Sequence, residues 1–314
     1  MIHKHSISRI SLGSALAAVA ISILWGGNVI AMKLGLGTFP PFWSAFWRML
    51  AGVAAVGLWG AVRNVAMAPP AGERRLILGL GVLFTVQITT LNFGVDLTSP
   101  AYSIVLLNAH PVFANLVGHF FVAEDRLSPV RVLGLATAFA GICFVFLGRP
   151  ETTLASHPYL GNFIVVTSAF LLGSRTVYTQ RLVQSIEPVR AVFWQMALSL
   201  PVFLAAGLIL EPPLIRPLAA TAVLAILYQG VVIAGLCFIV WTVLLTRMSP
   251  GRLSMFSFIS PVSGLFLSVL FFGEPITARL FAGLAAVAAG IWLVTRRPGR
   301  AGPRLAGAPE EPAR

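Results

Sequence analysis

The chain has 314 residues, of which 57% are hydrophobic and 10% charged, where a soluble globular domain carries about 25% charged residues. Its net charge is +12 and its mean hydropathy is +0.89. These values exclude an ordinary soluble domain and predict an all-α polytopic protein that lives in the lipid bilayer.

A helix of roughly 20 apolar residues crosses about 30 Å of hydrocarbon. Runs of that kind, marked off by Pro, Gly and charge, lie at 14–34, 40–62, 76–95, 100–123, 128–147, 159–182, 189–210, 218–246, 250–273 and 275–295. Ten transmembrane helices are predicted. The first run follows MIHKHSISRI and contains Ala15, Ala17 and Ala18, which also suits a secretory signal peptide. The last residues, PGRAGPRLAGAPEEPAR at 298–314, lack the apolar surface a core needs and read as a disordered cytoplasmic tail. Cys143 and Cys237 each fall inside an apolar run, so neither a disulfide framework nor a zinc site is expected. No motif requires a metal or a cofactor, and the oligomeric state is left open.

The basic residues divide between alternate loops. Of the 22 Lys and Arg, 16 fall on the side of the N-terminus, among them Arg63, Arg74, Arg75, Arg126, Arg190 and Arg252. Four, Lys33, Arg149, Arg216 and Arg279, fall on the other side, and Arg48 and Arg175 lie within runs. Because Lys and Arg favour cytoplasmic loops, both termini are predicted to be cytoplasmic. The positive charge is thus a topology signal, and a nucleic-acid partner is not expected.

The chain also repeats itself. At an offset of 147, Gly26 meets Gly173, Pro41 meets Pro188, and Phe46-Trp47 meets Phe193-Trp194. At 150, Ser99-Pro100 meets Ser249-Pro250, Pro111 meets Pro261, and Glu124 meets Glu274; at 149, Gly134 meets Gly283 and Gly141 meets Gly290. This is the trace of a duplicated five-helix unit. Five is odd, so the second unit is expected upside down relative to the first. The first run has its counterpart in the sixth, which argues that it is retained in the folded body and not cleaved. The expected organisation is a cytoplasmic segment 1–13, a first repeat 14–147, an external linker 148–158, a second repeat 159–297 and the tail 298–314.

The segments ILWGGNVIAMKLGLGTFPPFWSAFWRMLAG (24–52), TSPAYSIVLLNAHPVFANLVGHFFVAEDRLSPVRVLG (98–134) and MSPGRLSMFSFISPVSGLFLSVLFFGEPITARLFAG (248–283) resemble the EamA family of drug/metabolite transporters. The marks are WG in the first run, Arg in the second, Pro in the middle of the fourth and ninth, and Glu at their ends. The resemblance implies a bacterial inner-membrane carrier that exports or exchanges small metabolites, commonly amino acids, by alternating access. His110 before the first Pro and AED at 123–125 depart from the family pattern.

Pro111 and Pro261 lie at the same depth, about 16 Å along their runs at 1.5 Å per residue. Each removes one helical hydrogen bond, and the carbonyls at Leu107 and Ser257 must find other partners in a medium that supplies none. Matching interruptions in two inverted halves point to a central site, so both prolines are candidate hinges. Asn108, Asn115 and His119 form one stripe at i, i+7 and i+11, and His110 lies about 200° round from Asn108. Thr85, Thr89, Asn92 and Asp96 form a second stripe on the third run. Arg48 lies about 12 Å below the outer boundary, where a guanidinium needs water, a carbonyl or an anion; its counterpart is Gln195. Arg175 lies nearer the cytoplasm and is able to snorkel. Trp25, Trp47, Tyr102, Tyr178, Trp194, Tyr228 and Trp241 suggest a pocket for a partly apolar solute, while Trp43, Trp59 and Trp292 suit interfacial belts. With Asn28 these residues make up the candidate substrate-binding set: Trp25, Asn28, Arg48, Asn92, Tyr102, Asn108, His110, Asn115, Tyr178, Gln195, Tyr228 and Trp241.

The chain has no GxSxG elbow, HExxH or phosphate-binding GxxxxGK[ST], so no enzyme is predicted. The alternatives are a channel or non-transporting membrane protein and, more remotely, an intramembrane enzyme using His110 with Ser103 or Ser257. None of the ten acidic residues lies at mid-depth, where an ion relay wants a carboxylate. A carrier with weak or no ion coupling is therefore expected.

Overall fold

The computed structural model describes residues 12–121, 129–150, 152–247, 256 and 259–295. Glu124, Ser257, Phe258 and the tail 298–314 lie outside them. All regular structure among the described residues is helical: α1 Leu12–Leu36, α2 Pro41–Val62, α3 Arg74–Leu97, α4 Pro100–Leu107, α5 His110–Phe121, α6 Pro129–Phe146, α7 Pro158–Leu182, α8 Pro188–Leu210, α9 Ala220–Leu227, a π-helical segment Tyr228–Cys237, α10 Phe238–Arg247, α11 Ile259–Phe272 and α12 Ala278–Thr295. Among the described residues, eight stretches are long and apolar enough to cross a membrane, taking α4 with α5 and α9 with the π-helical segment. Two further apolar helices, Ile259–Phe272 and Ala278–Leu293, are shorter. Side chains such as Leu58, Leu208, Phe266 and Phe281 are well exposed, and an apolar exterior of this kind suits lipid.

The sequence sets the helix ends in a regular way. Helices α2, α4, α7 and α8 start on Pro, whose missing N–H costs nothing in the first turn. Ser99 and Glu187 cap α4 and α8 by accepting from the N–H groups of Tyr102 and Arg190. Other caps come from far along the chain. The Glu211 carboxylate accepts from the N–H groups of Phe42 and Trp43 at the start of α2, and Glu274 accepts from Ala101 N at the start of α4. Anions at helix N-termini satisfy free N–H groups and meet the positive end of the helix dipole. At the opposite pole of α3, the Lys33 ammonium donates to the carbonyls of Val95, Asp96 and Thr98 at 2.8–2.9 Å.

Packing between the helices is exchanged between the two copies. α1 packs on α11, and α7, its counterpart, packs on α4 and α5. The two contacts use corresponding residues. A Cβ on Gly26 would stand 2.6 Å from Ser260 O and 2.8 Å from Gly264 N; a Cβ on Gly173 would stand 2.7 Å from His110 O and from Ala114 N. His110 with Ser260, and Ala114 with Gly264, are the pairs at the offset of 150. Small residues let backbones approach this closely where lipid supplies no hydrophobic drive for association. α6 and α12 meet through the same device. Gly141 faces Gly283, and Gly134 faces Gly290, so the early residues of one helix meet the late residues of the other and the two run antiparallel. α2 on α8 completes the set of large contacts between counterpart helices.

Loop contacts gather at two ends. At one, Arg190 pairs with Glu73 at 2.7 Å and donates to Ala66 O, and Trp194 Nε1 donates to Met67 O. At the other, Ile215 N bonds Thr38 O and His157 N bonds Leu97 O.

Candidate functional site

The interior holds two buried guanidinium groups. Arg48 on α2 is 3% exposed and Arg175 on α7 is 7% exposed. Arg48 Nη1 donates to Gln229 Oε1 at 3.0 Å, and its Nε has no partner. Arg175 makes a long 3.5 Å contact with Gln195 Oε1 and sits 4.9 Å above the Phe84 ring. Phe84 shares a buried cluster of α2, α3 and α8 with Met49 and Met196, the residues that follow Arg48 and Gln195. A buried charge is strongly unfavourable without an opposite charge or several donors and acceptors, and among the described residues only neutral amides and a ring answer it. Gln229 belongs to the π-helical segment, whose wider turn departs from regular α geometry on span eight; such segments are frequent at functional sites.

The fourth run is interrupted where sequence reasoning placed a kink, but the form differs. It is two helices. The break falls at Asn108 and Ala109, and α5 starts anew at His110, so Pro111 occupies a first-turn position that needs no N–H donor. The Leu107 carbonyl finds His110 Nδ1 at 3.2 Å, a bond in which the ring nitrogen donates. Pro261 is buried as the third residue of α11. Asn108 and Asn115 each donate to the carbonyl four residues back, Ile104 O and Pro111 O at 2.8 Å. Thr85, Thr89 and Asn92 do likewise on α3, and Asn92 Oδ1 is left without a partner.

The other predicted residues are spread through the protein. Trp25 and Trp241 meet at a 60° tilt with centroids 4.8 Å apart, next to Tyr228, whose hydroxyl donates to Leu24 O. Asn28 contacts Met32 Sδ. Tyr102 is buried near the loop that carries Glu274, and Tyr178 donates to Leu76 O at the opposite end. Among the predicted set, Arg48 and Gln195 thus belong to two separate amide–guanidinium pairs, Arg48 with Gln229 and Gln195 with Arg175, Trp25, Tyr228 and Trp241 join an aromatic group, and Tyr102 and Tyr178 lie apart. Trp43, read as a belt residue, is buried against Gly207, while Trp59 and Trp292 are exposed. A cleft of about 610 Å³ beside α3 is lined by Arg75 and by apolar residues such as Leu78, Val82 and Val86, and neither Arg48 nor Arg175 lines it.

Sequence reasoning missed Gln229, Lys33, Glu211 and Glu274 as structural partners. The acids were discounted because they lie near run ends. Those ends are where free helix N–H groups are, which is the signal that would have found them. Burial raises the Glu211 carboxyl above its ordinary range, against the pull of the N–H bonds from Phe42 and Trp43.

The model of the EamA-like transporter family matches twice, over residues 12–147 and 159–296. The chain belongs to the EamA-like transporter family. This EamA-like chain is 22% identical over 286 residues to an uncharacterized transporter of Bacillus subtilis, a match that covers 89% of this chain and 96% of that protein. It is 26% identical to a probable amino-acid metabolite efflux pump of Salmonella typhimurium, covering 88% and 92% of the two chains, and 25% identical to one of Escherichia coli with the same coverage. A solved crystal structure matches with a TM-score of 0.65 at 21% identity, covering 90% of this chain and 96% of that one, which shows a shared fold. The protein is thus a multi-pass membrane protein of a transporter family whose fold is built on two matched units.

Proposed function

We propose that this EamA-like protein is an inner-membrane secondary carrier that exports or exchanges small metabolites, amino acids among them, by alternating access. Its ten apolar helices cross the membrane with both termini in the cytoplasm, as two inverted repeats at 14–147 and 159–297 joined by an external linker. The observation that carries this reading is the exchange of contacts between the copies: Gly26 against α11 and Gly173 against α5, at corresponding residues. Two inverted units that pack reciprocally have two equivalent arrangements, one open to each side, and switching between them moves a central site across the bilayer. The efflux-pump names of two relatives favour export.

The test is solute counterflow in proteoliposomes. Vesicles loaded with unlabelled amino acids or organic acids should accumulate labelled solute transiently, with saturation. Linear, non-saturating flux without counterflow would mark a channel and overturn the reading. Reporter fusions after Arg75, Arg190 and Arg304 should report cytoplasm, and fusions near Asp96, His157 and Arg216 the outside; one consistent reversal would remove the inverted repeat.

A further inference from the structure

We propose that Arg48 and Arg175 together form an anion site whose preferred solute is a small organic acid with two acidic groups and a net negative charge. The proposal rests on the carrier reading and names the substrate class of that carrier. Two buried positive charges border one apolar cluster: Arg175 sits over Phe84, and Phe84 shares the cluster with Met49, the residue after Arg48, and Met196, the residue after Gln195. Among the described residues, neither arginine meets a carboxylate; their polar partners are Gln229 and Gln195 oxygens. Arg48 Nε is buried and unbonded, and the Gln195 contact at 3.5 Å is too long to satisfy Arg175. Each guanidinium therefore keeps donors in the planar fork that takes a carboxylate by two bonds. A solute carrying two carboxylates neutralises both charges. A zwitterion with one carboxylate brings an ammonium group to two like charges, and like-charge juxtaposition costs several kcal/mol. The glutamines act as placeholders: their oxygens hold the forks and yield to a stronger acceptor.

The experiment measures thermal stabilisation of the purified protein and inhibition of counterflow by succinate, glutamate, phenylalanine and sulfate at matched ionic strength. A ligand that binds the folded state raises apparent stability. Succinate should act at the lowest concentration, glutamate next, and phenylalanine should have little effect. Arg48→Gln and Arg175→Gln should each weaken succinate by about 30-fold or more, the loss expected when one partner of a buried charge pair is removed. Arg48→Lys and Arg175→Lys keep the charge but lose the fork; they should fall between, and they guard against a Gln variant that fails to fold. Phenylalanine acting better than succinate, equal stabilisation by sulfate and succinate, or unchanged succinate response in folded Gln variants would each overturn the anion site. Saturable counterflow of neutral solutes that is indifferent to both arginines would sink the anion site and leave the carrier standing. Stabilisation by succinate without counterflow of any solute would do the reverse.

Discussion

Gly26 and Gly173 occupy the same place in the two copies, and each brings its helix onto the backbone of the other copy. Two residues further along, Asn28 and Arg175 also share a place, but one is neutral and the other charged. The same holds elsewhere: Arg48 matches Gln195 at the offset of 147. The contrast separates two jobs. Small residues that set helix crossings are duplicated, because both halves must pack by the same geometry. Charged and amide residues differ, as the proposed carrier requires: there a single solute meets both halves at once and needs one set of partners from the two together.

The strongest way to break this comparison is through the crossings. Gly26→Val and Gly173→Val should each destabilise the protein by about 1–3 kcal/mol or prevent folding, since the added side chain has no room against backbone atoms. Gly13, with nothing near it, should accept Val without change. Thermal unfolding in lipid nanodiscs reads all three, and an unaffected Gly173→Val protein would break the reciprocal packing.

The next effect concerns the amides. Gln229→Leu leaves Arg48 buried without its 3.0 Å partner, so it should lower stability by about 1.5–3 kcal/mol, the value of a hydrogen bond to a charged group. Gln195→Leu should cost less, because the Arg175 contact is 3.5 Å and the Phe84 ring remains. Equal effects would show that the two amides are not distinguished as the geometry implies.

How much of this was legible in the sequence follows from what each feature depends on. The apolar runs, the duplication and the break in the fourth run were readable, because hydrophobic length, glycine pairs and proline act locally or by simple offset. The orphan carbonyl of Leu107 followed from proline alone, though its partner His110 did not. The π-helical segment at Tyr228–Cys237 carries no breaker of its own: Gly230 and Gly235 fit an α-helix equally well. Gln229 and Arg48 are 181 residues apart, and no local pattern joins them. Asn108 and Asn115 read as candidate substrate-binding groups, yet each bonds to its own helix, an alternative that Asn offers wherever a carbonyl lies four residues back.

The prolines give a kinetic effect. Pro111→Ala and Pro261→Ala should each leave solute binding intact and slow exchange by about tenfold, an added barrier of about 1.4 kcal/mol, with the double variant slowest. Stopped-flow exchange at saturating solute reads this, and normal rates in the double variant would reduce both prolines to packing features. The smallest effect belongs to Glu211. Its folded-state pKa is raised by burial from 4.5, so the folded protein binds this proton more tightly than the unfolded chain. Glu211 should therefore oppose folding increasingly as pH rises through the window just above 4.5. Glu211→Gln keeps an acceptor for the α2 N-terminus and should flatten the fall in melting temperature across that window; an unchanged slope would show that the carboxyl is not held as described.

The most direct measurement of the central claim is two-sided labelling of one thiol at the broken run. Asn108→Cys, in a background with Cys143 and Cys237 replaced, is exposed to a membrane-impermeant maleimide from either side of oriented vesicles. Alternating access by two reciprocal halves predicts labelling from both sides, with Pro111→Ala and Pro261→Ala shifting the balance in opposite directions. Labelling from one side alone, at a rate that neither proline variant changes, would contradict it.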